Sequence, residues 1–396
     1  MPQLPSLSVP SFARLTIAAL LLGLTAAAED KPATKTPGEI VNDLRLLDPP
    51  WRSPVAYRES TTPLRETDTA PILGRLAFEA ASIENIVSAD GTRTYKVGKD
   101  VILRPDGKTL EFTADSQVPF LRYDEFYPAP MSPRSYRHRK DHPEQWMLYS
   151  EGHWFHDRQI EVTYTRKTPG WPRTAPALAK DQLPRSLARL AKGEPLTIGV
   201  SGDSITAGAN ASGLTGAAPH MPAYPALVAA QLEATAKSPV TLRNRAVGGW
   251  SVANGVGDIE MLMNEKPDLL IVAYGMNDVG RRDPKWFTEQ TAALIAKARA
   301  RNPEVEIILV ASMLGNSEWV HTPRDMFAQY RDALASLAGP GIALADVTAV
   351  WDTMLKSKHD YDLIGNGLNH PNDFGHRLYA QTILSLLIAP AAADAK

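Results

Sequence analysis

After Pro195 the chain alternates short apolar runs with amphipathic stretches five times over, and few folds accommodate that rhythm. The apolar runs are 196–200, 241–247, 269–274, 305–311 and 342–345. Between the third and fourth, Asp283-Pro284 reads as an N-cap followed by proline at the first helical position, and Phe287, Leu294, Ile295 and Ala298 then recur on one helical face. Pro225 opens another helix with Leu227, Val228 and Leu232 on one side, and Phe374, Leu378 and Leu384 mark a closing one. Parallel strands need crossover connections, so the pattern predicts an α/β domain over 195–396: a doubly wound parallel sheet with helices on both faces. In such sheets ligands bind at the carboxyl ends of the strands, and the residues that follow each strand are the ones to inspect.

The first half has a different texture. Of the 32 prolines, 21 lie at or before Pro195, which leaves little room there for long helices. Runs of alternating apolar and polar residues at 94–97, 101–103 and 110–112 surround the turn Pro105-Asp106-Gly107, a hairpin signal. Runs at 146–149 and 159–164 read as further strands. The expectation is a β-rich, sandwich-like domain over 66–176, preceded by a linker or extended segment over 29–65 and followed by a connecting helix within 177–194, centred on 178–191. Residues 1–28 read as a cleavable leader: Arg14, an apolar run over 15–24, and Ala26-Ala27-Ala28 before a cut after Ala28. That run is shorter than the ~20 residues a membrane span needs, so the expectation is a secreted or periplasmic protein with no membrane span once processed.

Composition removes several classes of function. The absence of cysteine excludes disulfide scaffolds, thiol nucleophiles, iron–sulfur clusters and cysteine-ligated zinc. A formal charge of −2 lacks the basic excess of a nucleic-acid binder. His138, His142, His153 and His156 cluster in the first half, but among Arg137, Arg139 and Lys140 their spacing fits no zinc pattern, and no metal is expected.

Four segments at strand ends carry the chemistry. They are Gly202-Asp203-Ser204-Ile205-Thr206, Val247-Gly248-Gly249-Trp250, Gly275-Met276-Asn277-Asp278 and, near the end, Asn369-His370-Pro371-Asn372-Asp373. A serine at a strand-to-helix turn is exposed, with its amide at a helix N-terminus, where negative charge is stabilised. Glycine lets a backbone N–H approach a ligand closely, asparagine adds a donor, and histidine can take the serine proton.

In this order the four segments resemble the SGNH hydrolase (GDSL esterase/lipase) superfamily over roughly 196–390. The resemblance implies a serine esterase on a flavodoxin-like α/β/α fold. It implies Ser204 as nucleophile, His370 as base, and an oxyanion hole made of the Ser204 N–H, the Gly249 N–H and the Asn277 side chain. Gly249 is chosen over Gly248 because the family places this glycine five residues after an asparagine, here Asn244. No cofactor is implied. One position departs from the family: its usual aspartate, three residues before the histidine, is Gly367 here. The acid is therefore open, with Asp362, Asp360 or Asn366 as candidates to orient His370, and a dyad-like arrangement is the expectation. Trp250 and Trp319 adjoin strand ends and are candidate substrate contacts.

The substrate expected is an acetylated carbohydrate or another ester, because some secreted deacetylases of the superfamily also place a β-rich domain before the hydrolase. The alternatives are a lipase or lysophospholipase, an acetyltransferase acting on envelope polysaccharide, and a catalytically degenerate carbohydrate-binding protein. Oligomeric state has no signature in the sequence.

Overall fold

Five parallel strands form the centre of the second half: β1 (Leu196–Gly202), β2 (Val240–Asn244), β3 (Leu269–Ala273), β4 (Glu306–Ala311) and β5 (Ile342–Asp346). Their order in the computed structural model, which describes residues 36–390, is β2-β1-β3-β4-β5. That is the flavodoxin-like order, and its topological switch lies between β1 and β3. Every residue of β3 and β4 is buried, as expected for strands covered on both faces. The leader expected over 1–28, with its cut after Ala28, lies outside the described residues.

The helices used below are α1 (Ser204–Ala207), α2 (Tyr224–Ala236), α3 (Val252–Met263), α4 (Pro284–Arg301) and α5 (Asp373–Leu387). α2 packs against α5, and α3 against α4, so the two helix layers enclose the sheet. Asp283 caps α4 as expected, accepting a hydrogen bond from the Trp286 N–H at 3.0 Å.

The first half is β-rich, with mainly antiparallel sheets. Ile160–Arg166 lies between Val55–Thr61 and Ala80–Ser88 in one of them. A second sheet contains the expected hairpin, Val101–Leu103 with Thr109–Phe112, whose turn is held by Asp106 accepting from the Lys108 and Thr109 N–H groups, each at 2.9 Å. Ile72, Val101, Leu110 and Phe112 join Ile86, Ile160 and Val162 in one apolar cluster drawn from both sheets. The run at 94–97 makes only isolated bridges, to Val87 and Val101, because the chain turns at Gly98 with φ +83°.

Two details differ from the sequence reading. The connecting helix begins only at Pro184 and runs to Lys192. A proline inside a helix removes a hydrogen bond and clashes with the preceding turn, so Pro184 can only be its start. Its first N–H groups, of Arg185 and Ser186, bond to the buried Glu306 carboxylate at 2.9 and 2.7 Å. Residues 36–61, expected as extended, hold the helix Pro37–Asp43 and the strand Val55–Thr61. The helix carries a capping box, Thr36 to Glu39, which is legible as Thr-x-x-Glu.

The β-rich half grips the loop that leads into α5. Lys358 and Glu59 form a fully buried ion pair at 2.7 Å. Thr62 N–H donates to Asp362 at 2.7 Å, and Gln159 donates to the Tyr361 and Ile364 carbonyls at 2.9 and 3.0 Å. Asn372 caps α5 and also donates to Ser60 Oγ at 2.9 Å. Arg377 of α5, fully buried, reaches the Tyr57 carbonyl at 3.0 Å.

Candidate active site

Strand β1 ends at Gly202, and Asp203 turns the chain into α1, whose first residue is Ser204. Asp203 is the N-cap, accepting from the Ile205 N–H at 3.0 Å. Burial, with repulsion from Asp278, pushes its carboxyl up to about 7 despite that bond. Ser204 is thus held half-buried at the carboxyl edge of the sheet, beside the switch between β1 and β3.

His370 comes from the loop before α5, and its Nε2 lies 2.9 Å from Ser204 Oγ. The Nδ1 atom faces three side chains: Asn210 Oδ1 at 3.0 Å, Asn366 Nδ2 at 3.0 Å and Glu151 Oε1 at 3.2 Å. The two amides have fixed orientations. Asn366 Oδ1 accepts from the Leu368, Asn369 and His370 N–H groups at 3.0, 3.0 and 3.1 Å, so its nitrogen must face the ring. Asn210 donates to the Gly152 and Gly365 carbonyls at 2.9 and 3.2 Å, so its oxygen must face the ring. The Asn366 hydrogens go to Glu151 Oε1 and Asn369 Oδ1 at 3.2 and 3.1 Å, so the acceptors at Nδ1 are Asn210 and Glu151; this matches the tautomer with hydrogen on Nδ1, which leaves the Nε2 lone pair for the serine proton.

The turn after β2 lies over the nucleophile. A Cβ built on Gly248 would stand 3.8 Å from Ser204 Cβ, and Gly249 has φ +79°, the left-handed region that favours glycine. Asn244 ties this turn to α1 by donating to the Thr206 carbonyl at 3.0 Å. Exposed Asn277, after β3, donates to the Trp250 carbonyl at 2.9 Å, which leaves its amide a second hydrogen. Asp278 accepts from the Val252 N–H at 3.0 Å and so joins the Asn277 loop to the start of α3. Among the described residues, the N–H groups of Ser204, Gly248 and Gly249 have no acceptor. Ser204, Gly249, Asn277 and His370, from four separate segments, therefore meet at one sheet edge.

The candidate acids are placed elsewhere. Asp362 accepts from Thr61 Oγ1, Thr62 N–H and His359 N–H, and Asp360 accepts from Ser317 and Arg324. Both are spent on holding their loop, and neither reaches His370. Asn366 stands beside it, but its amide spends both hydrogens on Glu151 Oε1 and Asn369 Oδ1, at 3.2 and 3.1 Å, and offers the ring no acceptor. Glu151 and Asn210, absent from the sequence reading, stand there instead. Burial works against ionising Glu151, yet the hydrogen bond and charge of His370, with the Asn366 and Tyr149 bonds, bring its carboxyl down to about 2. Asn210 has one sequence signal, its place six residues beyond Ser204 in the same turn; Glu151 has none.

Of the aromatic candidates, Trp319 packs on Tyr136 with ring centroids 5.8 Å apart, and Tyr136 packs on Tyr149 at 5.0 Å. Tyr149 OH donates to Glu151 at 2.9 Å, so this aromatic row ends beside His370. Trp250 packs against the main core through its partly buried ring. The four first-half histidines go to separate places. His138 meets His321, His142 meets Glu144, His153 meets Asp157, and His156 meets the Ala218 carbonyl. Among the described residues no group of three or more potential ligands is placed to hold a metal ion, and no helix is long and apolar enough to cross a membrane.

Residues 200–378 match the model of the GDSL-like lipase/acylhydrolase family. No curated protein sequence matches the chain. Similar solved structures include an acetyl-xylooligosaccharide esterase from Geobacillus stearothermophilus, with 23% identity over 49% of this chain and 95% of that one, at a TM-score of 0.40. An α/β hydrolase from the metagenome of Lake Arreo, Spain, shares 24% identity over 50% of this chain and 97% of that one, at 0.40. A two-domain esterase active on acetylated mannans shares 22% identity over 55% of this chain and 58% of that one, at 0.43. With its strand order and the family match together, the segment 200–378 is an SGNH-type domain of the GDSL-like lipase/acylhydrolase family, and the protein is a carboxylic ester hydrolase.

Proposed function

We propose that the protein is an exported serine esterase that removes acetyl groups from carbohydrate. The observation that carries the mechanism is the 2.9 Å contact between Ser204 Oγ and His370 Nε2. His370 takes the serine proton as Oγ attacks the ester carbonyl. The negative charge that develops on the carbonyl oxygen is met by the Ser204 and Gly249 N–H groups and the Asn277 amide. Each such donor contributes on the order of a hundredfold or more in rate. His370 then gives the proton to the leaving alcohol, and water repeats the sequence on the acyl-enzyme.

One feature favours a sugar substrate. The row Trp319, Tyr136 and Tyr149 offers ring faces next to His370, with Tyr136 exposed, and aromatic faces with a polar edge suit sugar rings. Export rests on the leader pattern at 1–28.

The test is hydrolysis of p-nitrophenyl acetate and octanoate by the native chain and Ser204→Ala. The expected result is acetate turned over much faster than octanoate, with the activity lost in the variant. Equal rates in native and variant chains refute the nucleophile. A preference for octanoate redirects the substrate to lipids. Acetylated oligosaccharides, with a free sugar acceptor present, then separate hydrolysis from transfer by the product formed.

A further inference from the structure

The position where the family carries its aspartate is Gly367, and the structure gives the reason. Gly367 has φ +87°, and a Cβ there would lie 2.4 Å from the Leu148 carbonyl oxygen and 2.8 Å from the Phe155 ring. Backbone of the β-rich half occupies the space that an acid side chain would need. The same segment is fastened on both sides of the site. Ser150 N–H donates to the Asn366 carbonyl at 3.1 Å, on the histidine loop, and the Gly152 carbonyl accepts from Asn210 at 2.9 Å, on the nucleophile loop. Between these two anchors stands Glu151.

We propose that Glu151, supplied by the β-rich half, replaces the family's aspartate as the carboxylate that orients and charge-stabilises His370. This rests on the reading of Ser204 and His370 as nucleophile and base. Glu151 Oε1 lies 3.2 Å from His370 Nδ1 and receives bonds from Tyr149 OH at 2.9 Å and Asn366 Nδ2 at 3.2 Å. Three groups thus converge on one carboxylate oxygen. Asn210 Oδ1, at 3.0 Å, shares the Nδ1 hydrogen and sets the ring's direction. Only Glu151 brings negative charge, which gains strength as the imidazolium forms. The other ionisable groups nearby are committed elsewhere. His376, behind His370 on α5, is pushed down to about 4 by burial and is neutral, its Nε2 facing the Ala209 carbonyl at 3.1 Å. Asp373 accepts from the Ser212 N–H at 2.8 Å. Glu151 is therefore a positioning residue, and the β-rich half completes the site.

The experiment measures kcat and KM on p-nitrophenyl acetate. It compares the native chain with Glu151→Gln, Glu151→Asp and Ser204→Ala. Glu151 is 46% exposed, so its substitution leaves the core intact. Glu151→Gln is expected to lower kcat about a hundredfold with KM little changed. Glu151→Asp, which keeps a carboxylate, recovers part of kcat. The proposal is overturned if Glu151→Gln matches the native kcat while Ser204→Ala is inactive, or if Glu151→Asp falls as far as Glu151→Gln. Activity surviving in Ser204→Ala overturns the reading of the site itself and this proposal with it.

Discussion

Replacing Lys358 by methionine should cost about 3–5 kcal/mol of folding free energy, and adding Glu59→Gln should return most of it. Both side chains are shielded, Lys358 at 0% and Glu59 at 1% exposure, and their charged atoms are 2.7 Å apart. Glu59 also accepts from the Ala77 N–H and Tyr164 OH, each at 2.8 Å, while Lys358 gives a second bond to the Arg75 carbonyl at 2.6 Å. Methionine keeps the length of the lysine stem, so packing is largely retained and the loss is electrostatic. Glu59 is left as a buried charge with two neutral donors. In the double variant the glutamine oxygen accepts from Ala77, its amide nitrogen donates to the Tyr164 hydroxyl oxygen, and no charge remains. The Arg75 carbonyl loses its donor, a residual cost of about 1–2 kcal/mol. Urea unfolding of the native, single and double variants measures this, with equal m-values as the check that the comparison is sound. A single variant within about 1 kcal/mol of native, or a double variant no better than the single, refutes the reasoning.

Further outcomes follow from the site. Gly367→Ala should lose more than about 2 kcal/mol of stability and most esterase activity, because a left-handed residue gains a Cβ driven into the Leu148 carbonyl; a native melt with native kcat refutes that steric account. Asn277→Ala should lower kcat on p-nitrophenyl acetate about a hundredfold or more with KM little changed, and a loss confined to KM removes it from the oxyanion hole. Asp203→Asn keeps the helix cap and removes a titration. The native state holds the Asp203 proton up to about 7, whereas an unfolded aspartate releases it near ~4. Its stabilisation is therefore full below the unfolded value and is lost as pH rises through about 7. Melting temperatures of the native chain should fall relative to Asp203→Asn across that window, and parallel curves refute the shift.

The parallel sheet was legible because burial on both faces leaves near-continuous apolar runs, as in β3 and β4. The places of Ser204, Asn277 and His370 were legible because each follows a strand or precedes the last helix within a short segment, while the choice of Gly249 came from the family resemblance. The start of the connecting helix at Pro184 and the capping box at Thr36 were written in local rules that the broader pattern obscured. The partners of His370 were another matter. Asp360 and Asp362 are near it in sequence, yet backbone donors and Arg324 claim them. Sequence proximity does not tell which acceptor a carboxylate will find.

Hydrophobic period and strand-end position are local properties, so the order of residues alone carries the α/β/α half and the places of its serine, asparagine and histidine on one edge. Which carboxylate stands at His370 is set by long-range packing. Glu151 is more than two hundred residues earlier in the chain, and Gly367 is bare because the Leu148 carbonyl passes within 2.4 Å of where its Cβ would be. Such contacts depend on two halves packing together, and no local pattern in either half encodes where the other's backbone will run.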